Sequence, residues 1–418
     1  MTEHVPEGSL EQLVPEQDFV GLIAWAAGDL LRITNTLLEG GRERWGKRHF
    51  FQLHAEADEL ESFLDDYGAR YNQTYSALTE LVASVRGLAL AGLSLEHLAR
   101  RLEGYAVLDS YPAKRAERAR ADLARARAFT QSTLAALLRG VREEVSALGL
   151  PQVAESYPPG DFEEQVVRFR LPRNVGLEAI EDEEQRIAEV ASKYLQACTM
   201  LEEGCFEPSA SAERRDEILS QSCTEELARV YEATVHNLQS TYDTYVKNTV
   251  LEGQDERLPL LRGHLSASLH LLEAVTQLTH FLERHESDVR DDAAHRRVMD
   301  IVPRATVSEI SLNVLLYWAD QFLQGGRALA EDLLPAYTNL QKLELELSEG
   351  IILHARPASL IVTIVNHYGT PVEMEVEGKP CNAGSILELM VAVGSHPEAR
   401  HFAFSGDEHP LRDIGLLF

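Results

Sequence analysis

The fold of the C-terminal part of this chain is decided by the stretch LHARPASLIVTIVNHYG, residues 353–369. It places His354 directly before a helix whose first turn contains Arg356 and Pro357. Proline is tolerated there because the first N–H groups of a helix have no intrahelical partner. The apolar residues that follow recur at helical spacing, which predicts a helix over residues 358–367 with one buried face.

The start of this helix has the chemistry of a phosphate-binding site. The unpaired N–H groups and the helix dipole favour an anion at this position, and the guanidinium of Arg356 adds a fixed positive charge. A neutral imidazole nitrogen of His354 can attack a phosphoryl donor. The product would be held by the backbone N–H groups of Ala355 and Arg356 and by the guanidinium.

The surrounding sequence predicts a small α+β domain. Strands are predicted at residues 342–347, 372–376 and 402–404, a hairpin turn at Gly378-Lys379 that leads into a further strand, and helices at residues 358–367 and 385–393. The resulting order is strand, helix, strand, strand, helix, strand, helix. This order is typical of an antiparallel sheet with helices on one face.

This domain resembles HPr, the histidine phosphocarrier of the bacterial phosphoenolpyruvate-dependent sugar phosphotransferase system. The resemblance covers about residues 342–418 and includes the strand before His354, the helix after it, the hairpin and the stretch NAGSIL at residues 382–387. It implies that Enzyme I, or a donor like it, phosphorylates His354. It also implies that Arg356 stabilises the phosphate and that an acceptor protein, which the sequence does not identify, receives the group.

The resemblance also assigns roles around Ser385. This serine matches the regulatory serine of the family, which a dedicated kinase phosphorylates in some lineages. Ile386, Leu387 and Met390 match the apolar helix face that docks on partner proteins. A serine that opens a helix is first of all an N-cap, however, and capping alone explains Ser385.

The sequence departs from the family pattern at several positions. Ile352 stands where the family usually has glycine, and Gly384 stands where many members carry lysine. Glu388 replaces a small residue beside the docking face. The final helix, predicted over about residues 407–418, is short for the family. Because a β-branched residue rarely adopts glycine conformations, Ile352 predicts a differently shaped loop before His354.

The rest of the chain reads as helix, and the fold class is therefore multidomain: a large all-α helical bundle region followed by a small α+β HPr-like sandwich. Predicted breaks between helices lie at Gly40-Gly41, Gly92, Pro303 and Gly325-Gly326, and a short extended piece at residues 166–170. The predicted domains are a helical bundle at 1–150, a linker or excursion at 151–176, a second helical region at 177–340 that stands apart or joins the first, and the HPr-like domain at 341–418.

A basic run lies within the long helix predicted from Pro112 to Ala147. It comprises Lys114, Arg115, Arg118, Arg120, Arg125 and Arg127. A solvated helix face with spaced ion pairs is the favoured interpretation. The alternative is a docking strip for an acidic partner or for another part of this acidic chain, including intramolecular docking of the HPr-like domain.

The helical region contains no catalytic or metal-binding signature. Its histidines, among them His264, His280 and His285, are interpreted as surface or internally satisfied residues, and Cys198, Cys205 and Cys223 lack zinc spacing. His280 and Glu283 share a helix face, but no second Glu-x-x-His pair accompanies them. We therefore predict no metal and no cofactor.

Composition limits the possible partners and the location of the protein. The chain has 418 residues and a formal net charge of −28, which disfavours binding to nucleic acid and to anionic membranes. The N-terminus lacks the pattern of a secretory signal. The longest nearly uncharged apolar run, residues 19–28, is too short to span a bilayer. The few cysteines are typical of free thiols in the cytoplasm, where we expect the protein.

The sequence thus favours a bacterial phosphocarrier, or a regulator that responds to phosphorylation, with the helical region as output or partner-binding module. One alternative is a non-catalytic scaffold whose HPr-like domain is only a docking surface. Another is an enzyme hidden in the helical region and controlled by the C-terminal domain.

Overall fold

A computed structural model of the chain describes residues 13–40, 44–163, 183–284, 292–348 and 353–418. The described chain is helical up to the first strand. Its α-helices are α1 (Glu16–Ala26), α2 (Gly28–Glu39), α3 (Lys47–Asp66), α4 (Ser76–Arg101), α5 (Ala113–Ala147), α6 (Glu183–Glu203), α7 (Ala212–Gln221), α8 (Glu225–Tyr245), α9 (Val250–Gln254), α10 (Arg257–Arg284), α11 (Asp292–Ile301), α12 (Arg304–Ile310), α13 (Tyr317–Gly325) and α14 (Arg327–Ala336). Short 3-10 helices lie at Ala69–Tyr71, Glu103–Tyr105 and Pro159–Phe162, and a π-helix lies at Ser311–Leu316.

The chain forms two compact units. The first comprises residues 1–97, 121–169 and 274–311, and the second comprises residues 98–120, 170–273 and 312–418. Four of the five divisions fall inside α4, α5 and α10 and at the π-helix, where the sequence contains no proline or glycine cluster. The fifth, between residues 169 and 170, lies outside the described residues and within the range 151–176 that the sequence predicts as a linker. The predicted ranges 1–150, 177–340 and 341–418 do not coincide with these units, and their independent folding stays a prediction.

Most predicted helix breaks agree with the structure, but the one at Gly92 is wrong. Helix α2 ends at Glu39, before Gly40, and α13 and α14 meet at Gly326. Gly92 instead lies inside α4, where a Cβ atom would come within 2.4 Å of the Phe50 ring. Gly92 therefore serves close packing against an aromatic ring. The predicted extended piece at residues 166–170 lies outside the described residues.

The C-terminal domain has the predicted order of elements. These are β1 (Leu340–Glu346), α15 (Ala355–Tyr368), β2 (Val372–Val376), β3 (Lys379–Asn382), α16 (Ile386–Ser395), β4 (His401–Asp407) and α17 (Glu408–Gly415). The strands form one antiparallel sheet in the order β1-β4-β2-β3. The multidomain fold with a small α+β domain at its end is thus confirmed.

The helices of this domain cover one face of its sheet. Phe404 in the central strand β4 pairs with Leu343 of β1 and with Met374 of β2, so these side chains share one face. They pack in a common core with buried residues of all three helices, including Ile361 and Leu389. Because this core is composed of residues 343–414, the domain has a hydrophobic centre of its own.

Helix α15 contacts the helical part of the second unit at its C-terminal end. The side chain of Gln185 in α6 donates a hydrogen bond of 3.1 Å to the carbonyl oxygen of Tyr368. Gly369 follows in the left-handed conformation, with φ of 72°, and faces Glu189 of the same helix. Since α15 has 14 residues and rises about 1.5 Å per residue, its N-terminus lies about 20 Å from this contact.

Candidate functional site

His354 caps the N-terminus of α15 with its imidazole ring. Its backbone is extended, with φ of −123°, and its Nδ1 accepts a hydrogen bond of 3.3 Å from the backbone N–H of Arg356. This bond satisfies one of the N–H groups that a helix start leaves unpaired. Pro357 occupies the first turn, as predicted, and has no N–H to leave unpaired.

Buried residues on both sides fix the position of this exposed cap. Leu353 before it and Ala358 after it belong to the core of the domain, with exposed fractions of 4% and 0%. His354, Ala355 and Arg356 between them are exposed. The structure therefore brings together the predicted acceptor, the predicted backbone donors and the predicted guanidinium at one accessible helix start. Ile352, whose effect on this loop was predicted from sequence, lies outside the described residues.

The N-terminus of α16 is capped in a different way. The hydroxyl of Ser385 accepts a hydrogen bond of 3.3 Å from the backbone N–H of Glu388. The Glu388 carboxylate turns back and accepts a bond of 2.9 Å from the N–H of Asn382. This helix start thus already has a negative charge close to its free N–H groups, and the capping interpretation accounts for both Ser385 and Glu388.

Helix α16 presents the predicted docking residues to solvent. Ile386, Leu387 and Met390 are exposed to 44%, 72% and 36%. Two further apolar residues are also exposed, Val391 on the same helix to 61% and Leu360 on α15 to 47%. Helical periodicity alone did not separate these residues from Ile361 and Leu389, which are buried.

The basic run of α5 is largely engaged in local contacts. Arg120 forms two hydrogen bonds with Glu103, of 2.8 and 2.9 Å, and Arg118 lies over the Tyr317 ring. Ion pairs or hydrogen bonds also join Arg115 to Gln321, Arg125 to Glu309 and Arg127 to Glu96. These contacts support the interpretation as an ion-paired face rather than a docking strip.

The buried polar groups of the second unit cap the end of α13. His264 is fully buried, and its Nδ1 donates a hydrogen bond of 2.7 Å to the carbonyl oxygen of Phe322. Tyr111 and Tyr194 donate bonds of 2.6 Å to the neighbouring carbonyls of Gln321 and Leu323. Burial lowers the pKa of His264, which keeps the ring neutral and suits a structural role.

The other candidate groups also have structural explanations. Burial raises the pKa of the Cys198 thiol to about 12, so this cysteine stays protonated and unreactive. Among the residues that the structure describes, no group of three or more histidines, cysteines and acids lies close enough to hold a metal ion. His285 lies outside those residues.

By length and composition, one described helix is long and apolar enough to cross a membrane. The search for uncharged apolar runs in the sequence did not identify it, because the helix contains charged residues. It is α4, Ser76–Arg101, and 83% of its most apolar window is buried inside the protein. Because the core helices of soluble proteins pass the same test, this is weak evidence for a span.

Comparisons with known proteins match the C-terminal domain alone. The family described as "PTS HPr component phosphorylation site" matches residues 341–399. The HPr-like protein Crh of Bacillus subtilis (strain 168) is 42% identical over 69 residues, which are 16% of this chain and 79% of that protein. The helical region matches no family, and no solved structure gives a significant match to the chain.

Proposed function

Through its C-terminal domain this chain belongs to the HPr family, and from this membership and the geometry of His354 we propose that it accepts a phosphoryl group on that histidine. The donor is a phosphorylated protein of the Enzyme I type, and the group passes on to an acceptor protein. The observation that carries the proposal is the exposed imidazole whose Nδ1 is directed at the N–H of Arg356.

The hydrogen bond at the helix start supports Nδ1 as the reacting atom in this proposal. Because Nδ1 accepts the N–H of Arg356, its lone pair is free of a proton and the neutral ring carries its hydrogen on Nε2. Attack by Nδ1 forms the new N–P bond while the bond from phosphorus to the donor breaks and its electron pair returns to the donor. The phosphoryl oxygens then replace Nδ1 as acceptors for the N–H of Arg356.

Arg356 and the helix start stabilise the charge that the transfer brings. A phosphoryl group adds about −1.5 to −2 charges at neutral pH, which the helix dipole and an adjacent guanidinium favour. Nothing has to move far, because the amides and the nitrogen already lie at the same helix end. Phosphoryl transfer depends mainly on such positioning and charge stabilisation.

The exposed apolar residues of α16 supply the docking surface in this proposal. Ile386, Leu387, Met390 and Val391 expose apolar area together on one short helix, beside a core that is built from other apolar side chains of the domain. The helical region contacts α15 at the end remote from His354, so it leaves the acceptor accessible. We also propose a cytoplasmic location, with which the four free cysteines agree.

The test is incubation of the full-length protein with phosphoenolpyruvate and a purified bacterial Enzyme I. We expect one acid-labile, base-stable phosphate on the protein, and we expect its loss in His354→Ala. The matched control is His367→Ala, since His367 is also exposed but lies in the last turn of the same helix. Labelling that survives His354→Ala would contradict the proposal.

Regulatory phosphorylation of Ser385 stays a secondary proposal, and the alternative scaffold function has a distinct signature. A scaffold would bind phosphotransferase proteins through α16 without being labelled. In that case Ile386→Glu, which places a charge on the apolar surface, would weaken binding while His354→Ala would not. A phosphocarrier loses its labelling in His354→Ala and is labelled more slowly in Ile386→Glu.

A further inference from the structure

A cavity of about 540 Å³ lies in the first unit, between α3, α4 and α5. This volume falls within the range of about 300–1,000 Å³ that is usual for small-molecule sites. Its lining includes Phe50, Leu95, Ala128, Arg44, Arg127 and Gln131. It lies outside the HPr-like domain, and the proposed phosphoryl transfer makes no use of it.

The apolar wall of the cavity depends on a close approach between two helices. The Phe50 ring packs on Gly92, where a Cβ atom would lie 2.4 Å from the ring. Phe50 and Leu95 are almost fully buried, with exposed fractions of 4% and 2%. On the opposite side Ala128 of α5 is exposed and leaves space that a larger side chain would fill.

The polar groups of the lining are held in place. Arg127 forms an ion pair with Glu96, and their side chains are exposed to only 16% and 8%. Gln131 accepts a hydrogen bond of 3.3 Å from the backbone N–H of Trp45 through its Oε1 atom. Since both side chains are positioned before any ligand arrives, a ligand loses little free energy in ordering them.

The charge of the lining differs in sign from that of the chain. Two arginines, Arg44 and Arg127, and one acid, Glu96, line the cavity, whereas the whole chain has a formal net charge of −28. Arg44 is exposed and belongs to the lining, so it can meet an incoming anion. Because Arg127 and Glu96 form an ion pair, the net positive charge of the lining comes from Arg44, and this charge favours an anion over a cation.

We propose that this cavity binds a small organic carboxylate with an apolar body. The ring or chain of the ligand packs on Phe50 and Leu95, and its carboxylate pairs with Arg44. The inference is independent of the proposed phosphoryl transfer, because the cavity and His354 belong to different compact units.

The proposal is tested on the full-length protein with two matched probes, 4-fluorobenzoate and 4-fluorobenzamide. They have almost the same size, and only the first is charged. Titration followed by 19F NMR line broadening gives a dissociation constant for each. We expect saturable binding of the benzoate and about tenfold weaker binding of the amide. The amide has no negative charge, so it cannot form an ion pair with the guanidinium of Arg44. Equal affinity for the two probes, or no broadening of the benzoate, would overturn the proposal.

Two substitutions locate the binding. Ala128→Trp fills the cavity and should abolish binding, whereas Ala121→Trp changes an exposed alanine of the same helix outside the lining and should not. Arg44→Gln should weaken the benzoate about five- to tenfold and leave the amide unchanged. Arg142→Gln is its control, because Arg142 lies on α5 in an ion pair with Glu39.

The arginine variant keeps the test decisive if the tryptophan variant does not fold. Arg44 is exposed, so its replacement leaves the core intact. Unchanged benzoate affinity in Arg44→Gln would contradict the role of this residue and with it the proposed anion site. Thermal melts of both variants and both controls separate loss of binding from loss of fold.

Discussion

His354 and His264 both use Nδ1 to bond the end of a helix, but they bond opposite ends. At the start of α15, Nδ1 of His354 accepts an N–H, and in the last turn of α13, Nδ1 of His264 donates to the carbonyl of Phe322. The first ring is exposed and the second is fully buried. The helix end determines which nitrogen carries the hydrogen, and burial determines whether the ring can meet another molecule.

The difference teaches that a histidine at a helix end is not by itself a reactive group. His264 belongs to a set of side chains that cap consecutive carbonyls, together with Tyr111 and Tyr194. Its Nε2 is buried and has no hydrogen-bond partner among the described residues. His354, in contrast, has a guanidinium two residues away and a helix start that favours an anion.

The largest expected effect is obtained when each of the two histidines is replaced by asparagine. His354→Asn should abolish phosphoenolpyruvate-dependent labelling and change the free energy of unfolding by less than about 0.5 kcal/mol, because asparagine is a good N-cap but no phosphoacceptor. His264→Asn should keep labelling and lose stability, because a buried ring is replaced by a smaller side chain. Labelling assays and urea melts give both quantities. Labelling of the His354→Asn protein would assign the phosphate to another residue.

The next effect concerns the guanidinium beside the acceptor. Arg356→Ala should slow transfer to His354 about 10- to 100-fold, since hydrogen bonds to charged groups contribute about 1.5–3 kcal/mol. The folded state should lose little, because Arg356 is exposed and a cation at a helix start is slightly unfavourable. Rapid-quench labelling measures the rate. A lower melting temperature with an unchanged rate would make Arg356 a structural residue.

A third comparison tests whether the helical region supports the C-terminal domain. Gly369 and Gly378 both have positive φ, 72° and 77°, but only Gly369 faces another element, with Glu189 Cγ 2.8 Å from a Cβ built there. Gly378→Ala should cost about 1 kcal/mol, the penalty of the left-handed conformation. Gly369→Ala should cost about 2–3 kcal/mol in total because Glu189 must also move. Equal losses in chemical denaturation would show that this contact contributes nothing.

How much could be predicted differs between the two parts of the chain. The alternating pattern at residues 372–376 predicted a strand, and the residues around His354 predicted a helix start. The structure confirms both, as β2 and as the N-terminus of α15. The exposure of Leu360 and Val391 was not predictable from spacing alone. Each of their helices packs on the sheet with one side and has more apolar residues than that side can bury, so the sequence does not show which of them remain exposed. Gly92 reads as a helix break in sequence, and only the position of Phe50 explains it.

The compact units were not predictable for a related reason. Linkers are recognised from proline and glycine, but four of the five divisions between the units fall within helical segments, and only the one at residues 169–170 falls in the predicted linker. The cavity beside Arg127 was missed as well, because its lining comes from helices distant in sequence, and the basic run that contains Arg127 had an adequate explanation as ion pairs.

The pH dependence of stability distinguishes the buried histidine. Burial lowers the pKa of His264 in the folded state, so its stabilising contribution is complete above the unfolded value of about 6.5 and is lost as the pH falls below it. Between about pH 7.5 and pH 5.5 the original protein should lose more stability than His264→Asn, because the unfolded state takes up a proton on this ring more readily than the folded state. Urea melts at the two pH values measure this. Equal losses in the two proteins would mean that His264 takes up its proton without cost.

The smallest effect tests whether Ser385 is explained by capping. Ser385→Ala should cost about 1 kcal/mol, the usual value of an N-cap, and Ser385→Asp should restore the cap because aspartate accepts the same N–H group. The new charge lies near the carboxylate of Glu388, so the change in the free energy of unfolding on Glu388→Gln should be more favourable by a few tenths of a kcal/mol in the Ser385→Asp protein than in the original one. If Ser385→Ala costs nothing, capping no longer accounts for this serine, and a modification at Ser385 becomes the better explanation. If it costs about 1 kcal/mol and labelling of His354 is unchanged, the two helix starts have separate roles: the one at His354 is open to an anion, and the one at Ser385 already contains its own.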